Sequence, residues 1–125
     1  MKILIIDAAN EKIFFSIITD TQSYTTTHAN SRENFDKFTN LLLDLFKKNE
    51  IKLEEVENIF INQGPGKFSG IRISISIAKA ICIAKNINLF GFSSKDLDNG
   101  NYNKIIELYK KNLLIKELIN PLYLS

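Results

Sequence analysis

A glycine-rich segment in the middle of the chain constrains its fold more than any other feature. Residues 63–73 read QGPGKFSGIRI and hold three of the five glycines and one of the two prolines. The segment before it, residues 58–62, is short, apolar and β-branched, as in a buried strand. Residues 71–85 after it contain neither Gly nor Pro. A strand, a glycine loop and a helix in this order bring backbone N–H groups close to an anion or to another part of the chain.

Length and composition limit the class of protein. A chain of 125 residues with 45% hydrophobic residues predicts one globular domain, and a net charge of +2 gives no strong signal for binding a polyanion. Cys82 is the only cysteine and His28 the only histidine, so we expect no disulfide and no metal site. The first apolar run ends at Asp7, too early for a signal peptide, and Arg72, Lys79 and Lys85 interrupt the longest apolar stretch. We therefore expect a cytoplasmic protein.

Hydrophobic periodicity predicts the element order β-β-β-α-β-α-β-α. Residues 2–7 are a continuous Ile/Leu run typical of a central strand. Residues 13–19 and the polar residues 23–27 predict a hairpin whose second strand lies at an edge of the sheet. Further strands are expected at residues 58–62 and 88–92, and helices at about 32–48, at 71–85 and around residues 105–114.

The predicted helix over residues 71–85 is apolar on two sides. One flank carries Ile71, Ile75, Ala78 and Cys82, and the other carries Ile73, Ile77, Ala80 and Ala84. One flank is expected to face the sheet, and the other needs a partner.

The central segment also carries a family resemblance. Residues 64–72, GPGKFSGIR, resemble the GPGSFTGxR signature of the TsaB (YeaZ) family, with Lys67 for the usual Ser and Ser69 for Thr. Residues 3–9, ILIIDAA, are similar to the family's opening ILxIDTA, and PLYL at 121–124 is similar to its final PxYLR. The residues expected to set the loop geometry are Gly64, Pro65, Gly66, Phe68, Ser69, Gly70 and Arg72.

The resemblance implies an actin/Hsp70-like (ribonuclease H-like) α/β fold. Its mixed five-stranded sheet has the order 3-2-1-4-5, with the second strand antiparallel and helices on its faces. The actin-like domain would span residues 1–96. Residues 97–125 would supply a linker, a C-terminal helix and a tail on the same domain. Family members carry a second domain before the final motif, so the resemblance predicts a short form that lacks it.

The resemblance further implies a non-catalytic subunit. Family members are partners of the TsaD (Kae1-like) enzyme that makes threonylcarbamoyladenosine (t6A) in tRNA. We therefore expect binding and activation of a TsaD-like threonylcarbamoyltransferase, recruitment of a TsaE-like ATPase and only indirect contact with tRNA. No cofactor is expected, with ATP or ADP confined to a partner interface. Because the family associates through two helices of each subunit, the residues expected to bind the partner are Phe35, Phe38, Leu42, Ile73, Ile77 and Ile81.

Alternative readings remain open from the residues alone. Asp7 at the end of the first strand is a candidate nucleotide contact of an actin-like enzyme, although a strand-terminal Asp more commonly caps its own turn. The glycine loop, with Lys67 and Arg72, suits an anion or a tight strand-to-helix connection. The apolar helices suit a self-associating scaffold equally well, because a homodimer buries the same stripe as a heterodimer. A two-metal nuclease is disfavoured, because Asp7 is the only acid at the end of a predicted core strand.

Overall fold

A computed structural model describes residues 1–66, 70–97, 101–116 and 119–120. In this part of the chain, five strands form one sheet in the order β3-β2-β1-β4-β5. β2 is antiparallel to β1 and β3, whereas β4 is parallel to β1 and β5. The order and the antiparallel second strand confirm the predicted actin-like architecture. The strands are β1 (Ile3–Asp7), β2 (Lys12–Ile18), β3 (Ser23–Ala29), β4 (Asn58–Asn62) and β5 (Asn88–Phe92).

The helices lie on the two faces of the sheet. They are α1 (Arg32–Asp36), α2 (Phe38–Lys48), α3 (Gly70–Lys85) and α4 (Asn103–Lys110), with short 3-10 turns at Leu53–Glu55 and Ser94–Asp96. Among the described residues, no helix is both long and apolar enough to cross a membrane.

Strand alternation divides the core into two layers. Leu4 and Ile6 of β1 point into the larger layer, which α2 and α3 cover, whereas Ile3 and Ile5 point into the smaller layer beneath α4. Each of these four side chains is almost completely inaccessible to solvent. The continuous Ile/Leu run of β1 therefore exists because this central strand is buried on both faces.

Two predicted helices differ from those observed. The helix expected over residues 32–48 is divided at Lys37, whose φ of −112° and ψ of 17° depart from helical values. The last helix ends at Lys110, earlier than its apolar pattern predicts. Asn112 follows in the left-handed conformation with φ of 59°, and the Leu113 N–H donates to the Leu108 carbonyl at 2.9 Å. This arrangement is a common way for a helix to end.

After α4 the chain returns to the sheet. Ile115 forms an antiparallel bridge with Gly91 of β5, in which the Gly91 N–H donates to the Ile115 carbonyl at 2.6 Å. The predicted linker at residues 98–101 lies outside the described residues except for Asn101, and the final motif at 121–124 lies wholly outside them.

Candidate functional site

Asp7 lies at the carboxyl end of β1 and is 1% exposed. Its Oδ1 accepts a 3.0 Å hydrogen bond from the Ala9 N–H, so the side chain caps its own turn as predicted. Its Oδ2 accepts a 2.7 Å hydrogen bond from the Tyr102 hydroxyl. Both carboxylate oxygens thus have donors from the chain itself, which gives Asp7 a structural role.

Tyr102 stands just before α4 and covers Asp7. Its ring stacks on Phe14 of β2, with centroids 4.4 Å apart and planes 4° from parallel. Burial raises the pKa of the Tyr102 hydroxyl far above its usual value, and the Asp7 charge adds to this effect. The hydroxyl therefore keeps its proton and remains a donor to Asp7. No local sequence signal could have identified this contact, because the two residues are separated by 95 positions.

The first part of the glycine loop forms a tight connection. Gly64 has φ of 104°, which favours glycine, and precedes a cis peptide bond to Pro65. The Gly64 N–H donates to Asn62 Oδ1 at 2.7 Å, and its carbonyl accepts from the Ser94 N–H at 2.8 Å. These contacts tie the loop to its own strand and to the turn after β5.

The other two loop glycines lie against the β1 turn. A Cβ at Gly66 would meet the Ala9 carbonyl oxygen, and one at Gly70 would come within 2.5 Å of Asn30 Oδ1. Close packing therefore explains both glycines, which favours the tight connection over an anion site. Arg72 is exposed on the first turn of α3, whereas Lys67, Phe68 and Ser69 lie outside the described residues.

The two flanks of α3 have different environments. The flank with Ile71, Ile75, Ala78 and Cys82 is buried in the larger core layer, as one side of the sequence pattern predicts. The other flank is only partly covered. Ile73, Ile77 and Ile81 are half-buried at the edge of the core, and Ala80 and Ala84 are exposed.

A largely apolar groove of about 290 Å³ runs along the second flank of α3 and reaches α2. Three predicted partner residues, Ile73, Ile77 and Ile81, are half-buried on this side of α3, and two of them line the groove. Ala80 and Ala84 belong to the flank that the sequence predicts to need a partner, and small residues four positions apart allow close approach of another helix. The groove is lined by Thr39, Ile77, Ala80, Ile81, Ala84 and Lys85.

Phe38 and Leu42 require a correction. They are 1% and 0% exposed, so they belong to the protein's own core and are not available on its surface. The Phe38 ring packs edge-on against Phe15 of β2 at 5.2 Å. α2 turns this face towards the sheet because β2 presents large apolar side chains there. Phe35, on the separate helix α1, is half-buried against the same core layer.

A salt bridge lies at the end of the groove. Lys85, the last residue of α3, contacts Glu54 with 2.9 Å between Nζ and Oε1. The hydrogen bond from Lys85 lowers the pKa of the exposed Glu54 carboxyl. The charged Lys85 side chain therefore lies at one end of a groove that is otherwise largely apolar.

In the described part of the chain, no group of three or more His, Cys, Asp or Glu side chains is positioned to hold a metal ion. His28 lies on β3, away from Asp7 at the end of β1.

Comparisons with known proteins agree with the sequence resemblance. The family model described as "TsaD: tRNA N6-adenosine threonylcarbamoyltransferase" matches residues 21–97. The "tRNA threonylcarbamoyladenosine biosynthesis protein TsaB" of Buchnera aphidicola subsp. Schizaphis graminum is 28% identical over 92 residues, which are 74% of this chain and 44% of that protein. The protein of the same name from Escherichia coli K12 is 26% identical over 94 residues, 75% of this chain and 41% of that protein. The chain thus spans less than half the length of these curated relatives.

Solved structures agree on the fold. YeaZ from Pseudomonas aeruginosa superposes with a TM-score of 0.68 and 21% identity, over 74% of this chain and 43% of that one. Thermus thermophilus RuvC in complex with a Holliday junction substrate gives a TM-score of 0.55 and 9% identity, over 97% and 84%. At such low identities, both likenesses concern the fold alone.

Proposed function

Because this chain belongs to the family described as TsaD, tRNA N6-adenosine threonylcarbamoyltransferase, and matches curated relatives named TsaB, we propose that it acts in t6A biosynthesis. It serves as a non-catalytic, TsaB-like subunit that binds and activates a TsaD-like threonylcarbamoyltransferase. The names of the relatives support the role in t6A biosynthesis, and the surface of α3 supports the association with another subunit.

The groove beside α3 is the observation that carries this proposal. The core layer beneath it is already closed by the buried flank of α3, so the groove is not needed to cover the sheet. Ile77 and Ile81 nevertheless present apolar surface there, next to the exposed Ala80 and Ala84. An apolar strip with small residues suits a helix of another subunit, because the two backbones can approach closely.

The environment of Asp7 supports a non-catalytic role. Its carboxylate is buried and already accepts hydrogen bonds from Ala9 and Tyr102. A general base or a metal ligand needs an oxygen that faces the substrate or the ion. The subunit would therefore act on its partner through contact and not through chemistry of its own.

The tRNA and the TsaE-like ATPase associate with this subunit through the TsaD-like enzyme. A net charge of +2 provides little attraction for the tRNA backbone, so tRNA is contacted mainly by the TsaD-like partner. A TsaE-like ATPase joins the assembly at the resulting interface, where any ATP or ADP also binds.

Co-purification with the TsaD homologue of the same genome tests the proposal. We expect a one-to-one complex by light scattering and an increase in t6A formation by the enzyme. Ile77→Arg places a charge in the groove and should abolish both. Ile83→Arg is the matched control, because Ile83 lies on the same helix, is 85% exposed and does not line the groove.

Two outcomes would contradict the proposal. If the wild-type protein does not bind TsaD, the partner assignment is wrong. If both arginine variants bind TsaD equally well, the groove is not the binding surface. Saturable ATP binding by the isolated chain that is lost in Asp7→Ala would instead favour a nucleotide-binding, actin-like enzyme.

A further inference from the structure

Among the described residues, β3 is the end strand of the sheet, and its hydrogen-bonding pattern identifies its outward-facing backbone groups. The Thr19 N–H donates to the Gln22 carbonyl at one end of the hairpin, and the Asn30 N–H donates to the Glu11 carbonyl at the other. Hydrogen-bonded and non-hydrogen-bonded pairs alternate in an antiparallel ladder. With the observed register, Tyr24, Thr26 and His28 use their backbone groups to pair with β2. The backbone groups of Ser23, Thr25 and Thr27 therefore point away from the sheet.

The two edges of this sheet are treated differently. The edge at β5 is bridged by the chain itself through Gly91 and Ile115. β3 runs for seven residues, SYTTTHA, without a Lys, a Pro or an acidic residue. Natural proteins commonly protect an edge with such residues, because an open edge pairs readily with another strand. β3 is thus a regular strand rich in β-branched residues with no such protection.

A groove of about 260 Å³ lies beside this edge, between β3 and α2. Tyr24, Thr26 and His28 of β3 contribute to its lining, and each is half-buried. On the helix side, Asp44 and Lys48 are exposed and lie four residues apart. One negative and one positive charge cancel, so this surface does not repel a second copy of itself.

We propose that β3 pairs with β3 of a second copy of this chain, antiparallel and about a two-fold axis at Thr26. This register pairs all seven residues, and Thr25 and Thr27 exchange hydrogen bonds with Thr27 and Thr25 of the second copy. Tyr24 faces His28 of the second copy in the groove, and Thr26 faces its own equivalent. Two five-stranded sheets become one continuous sheet.

Self-complementarity is the reason for choosing a second copy as the occupant. Every cross-strand pair in this register is aromatic, hydroxyl-bearing or small, and no like charges oppose each other. A nucleic acid or a strongly charged peptide would find no net charge to bind in this groove.

Disulfide cross-linking tests the register. Thr26→Cys places a thiol opposite its own equivalent in a non-hydrogen-bonded pair, where Cβ atoms come close enough for a disulfide. We expect a covalent dimer under mild oxidation. Thr25→Cys, one residue along and on the opposite face of the strand, should not cross-link, because it faces Thr27. Wild type is the second control, because its one cysteine, Cys82, is buried.

Sedimentation over a range of concentrations tests the edge itself. Thr27→Pro removes an N–H that points outward and leaves the pairs with β2 intact, so it should shift the protein to monomer while its circular dichroism is retained. Ile77→Arg in the α3 groove should leave this dimer unchanged. A wild type that stays monomeric at high concentration, or a dimer lost in Ile77→Arg and kept in Thr27→Pro, overturns the proposal. Because the edge and the groove are separate surfaces, failure here leaves the TsaD partner proposal unaffected.

Discussion

The hydroxyl of Tyr102 donates a 2.7 Å hydrogen bond to Oδ2 of Asp7. This bond joins the start of α4 to the end of the central strand, across most of the sequence. The Asp7 carboxylate thus secures a helix against the sheet.

Removal of this hydroxyl should destabilise the protein more than removal of a comparable one. Tyr102→Phe retains the stack on Phe14 and removes one of the two hydrogen bonds that described residues donate to Asp7, so we expect a loss of about 1.5–3 kcal/mol in the free energy of unfolding. Tyr109→Phe is the control, because its hydroxyl accepts a longer, neutral bond of 3.3 Å from Asn58. Urea unfolding measures both, and equal losses would contradict a special role for the Asp7 contact.

The assignment of Leu42 to the core leads to a second prediction. Leu42 is 0% exposed and its neighbour Leu43 is 41% exposed, although both are leucines of α2. Leu42→Ala should lower the free energy of unfolding by about 2–5 kcal/mol, and Leu43→Ala by about 0.5 kcal/mol or less. If Leu42→Ala weakens partner binding without loss of stability, its placement in the core is wrong.

The glycine loop should be sensitive to added volume at one position in particular. In Gly66→Ala the new Cβ meets the Ala9 backbone carbonyl and comes within 2.7 Å of Ile71 Cδ1, so we expect a loss of about 1–3 kcal/mol. In Gly91→Ala the nearest atoms belong to the Gln63 side chain, which can shift more easily than a backbone carbonyl, although at the expense of its hydrogen bond to the Asn120 carbonyl, so the loss should be smaller. Thermal melting of the two variants gives the comparison, and the reverse order would show that the loop yields more readily than Gln63.

Thiol reactivity should report the buried flank of α3. Burial raises the pKa of Cys82 to about 11, and the side chain is 8% exposed. The unfolded chain has the lower thiol pKa, so it loses its proton first as pH rises, and the stability contribution of the protonated thiol falls between about pH 9 and 11.

Alkylation at pH 8 should therefore be slow for native wild type and fast after unfolding. A double variant, Cys82→Ala with Ile83→Cys, moves the thiol by one position to a site that is 85% exposed in wild type. We expect rapid alkylation of this variant in the native state. Similar native rates for the two proteins would mean that α3 opens readily or is rotated from the orientation described above.

Much of the fold could be predicted because its signals are local. β5 and the buried β1 run follow from residue type and strand length, and α3 was expected within one residue of its observed start. The flank of α3 that faces the sheet corresponds to one of the two apolar flanks in its sequence. The break at Lys37 and the early end of α4 were not predicted, since apolar periodicity continues through both positions.

The candidate site was less predictable from the same patterns. Phe38 and Leu42 are apolar, as residues of a partner surface would be, but this side of α2 packs against the sheet and is buried. Ala80 and Ala84 line the groove, as expected for the second flank of α3. An apolar residue looks the same in a window of sequence whether it meets its own core or another subunit.

The sequence by itself determined the order of the elements, the glycine positions and the two apolar flanks of α3, because periodicity and backbone sterics act over a few residues. Only the tertiary structure decided which flank is buried, that Tyr102 reaches Asp7, and that the edge at β5 is bridged while no described residue pairs with the outer edge of β3. These outcomes depend on contacts between residues far apart in the chain. Such contacts form only when the sheet brings their elements together, and no local pattern encodes them.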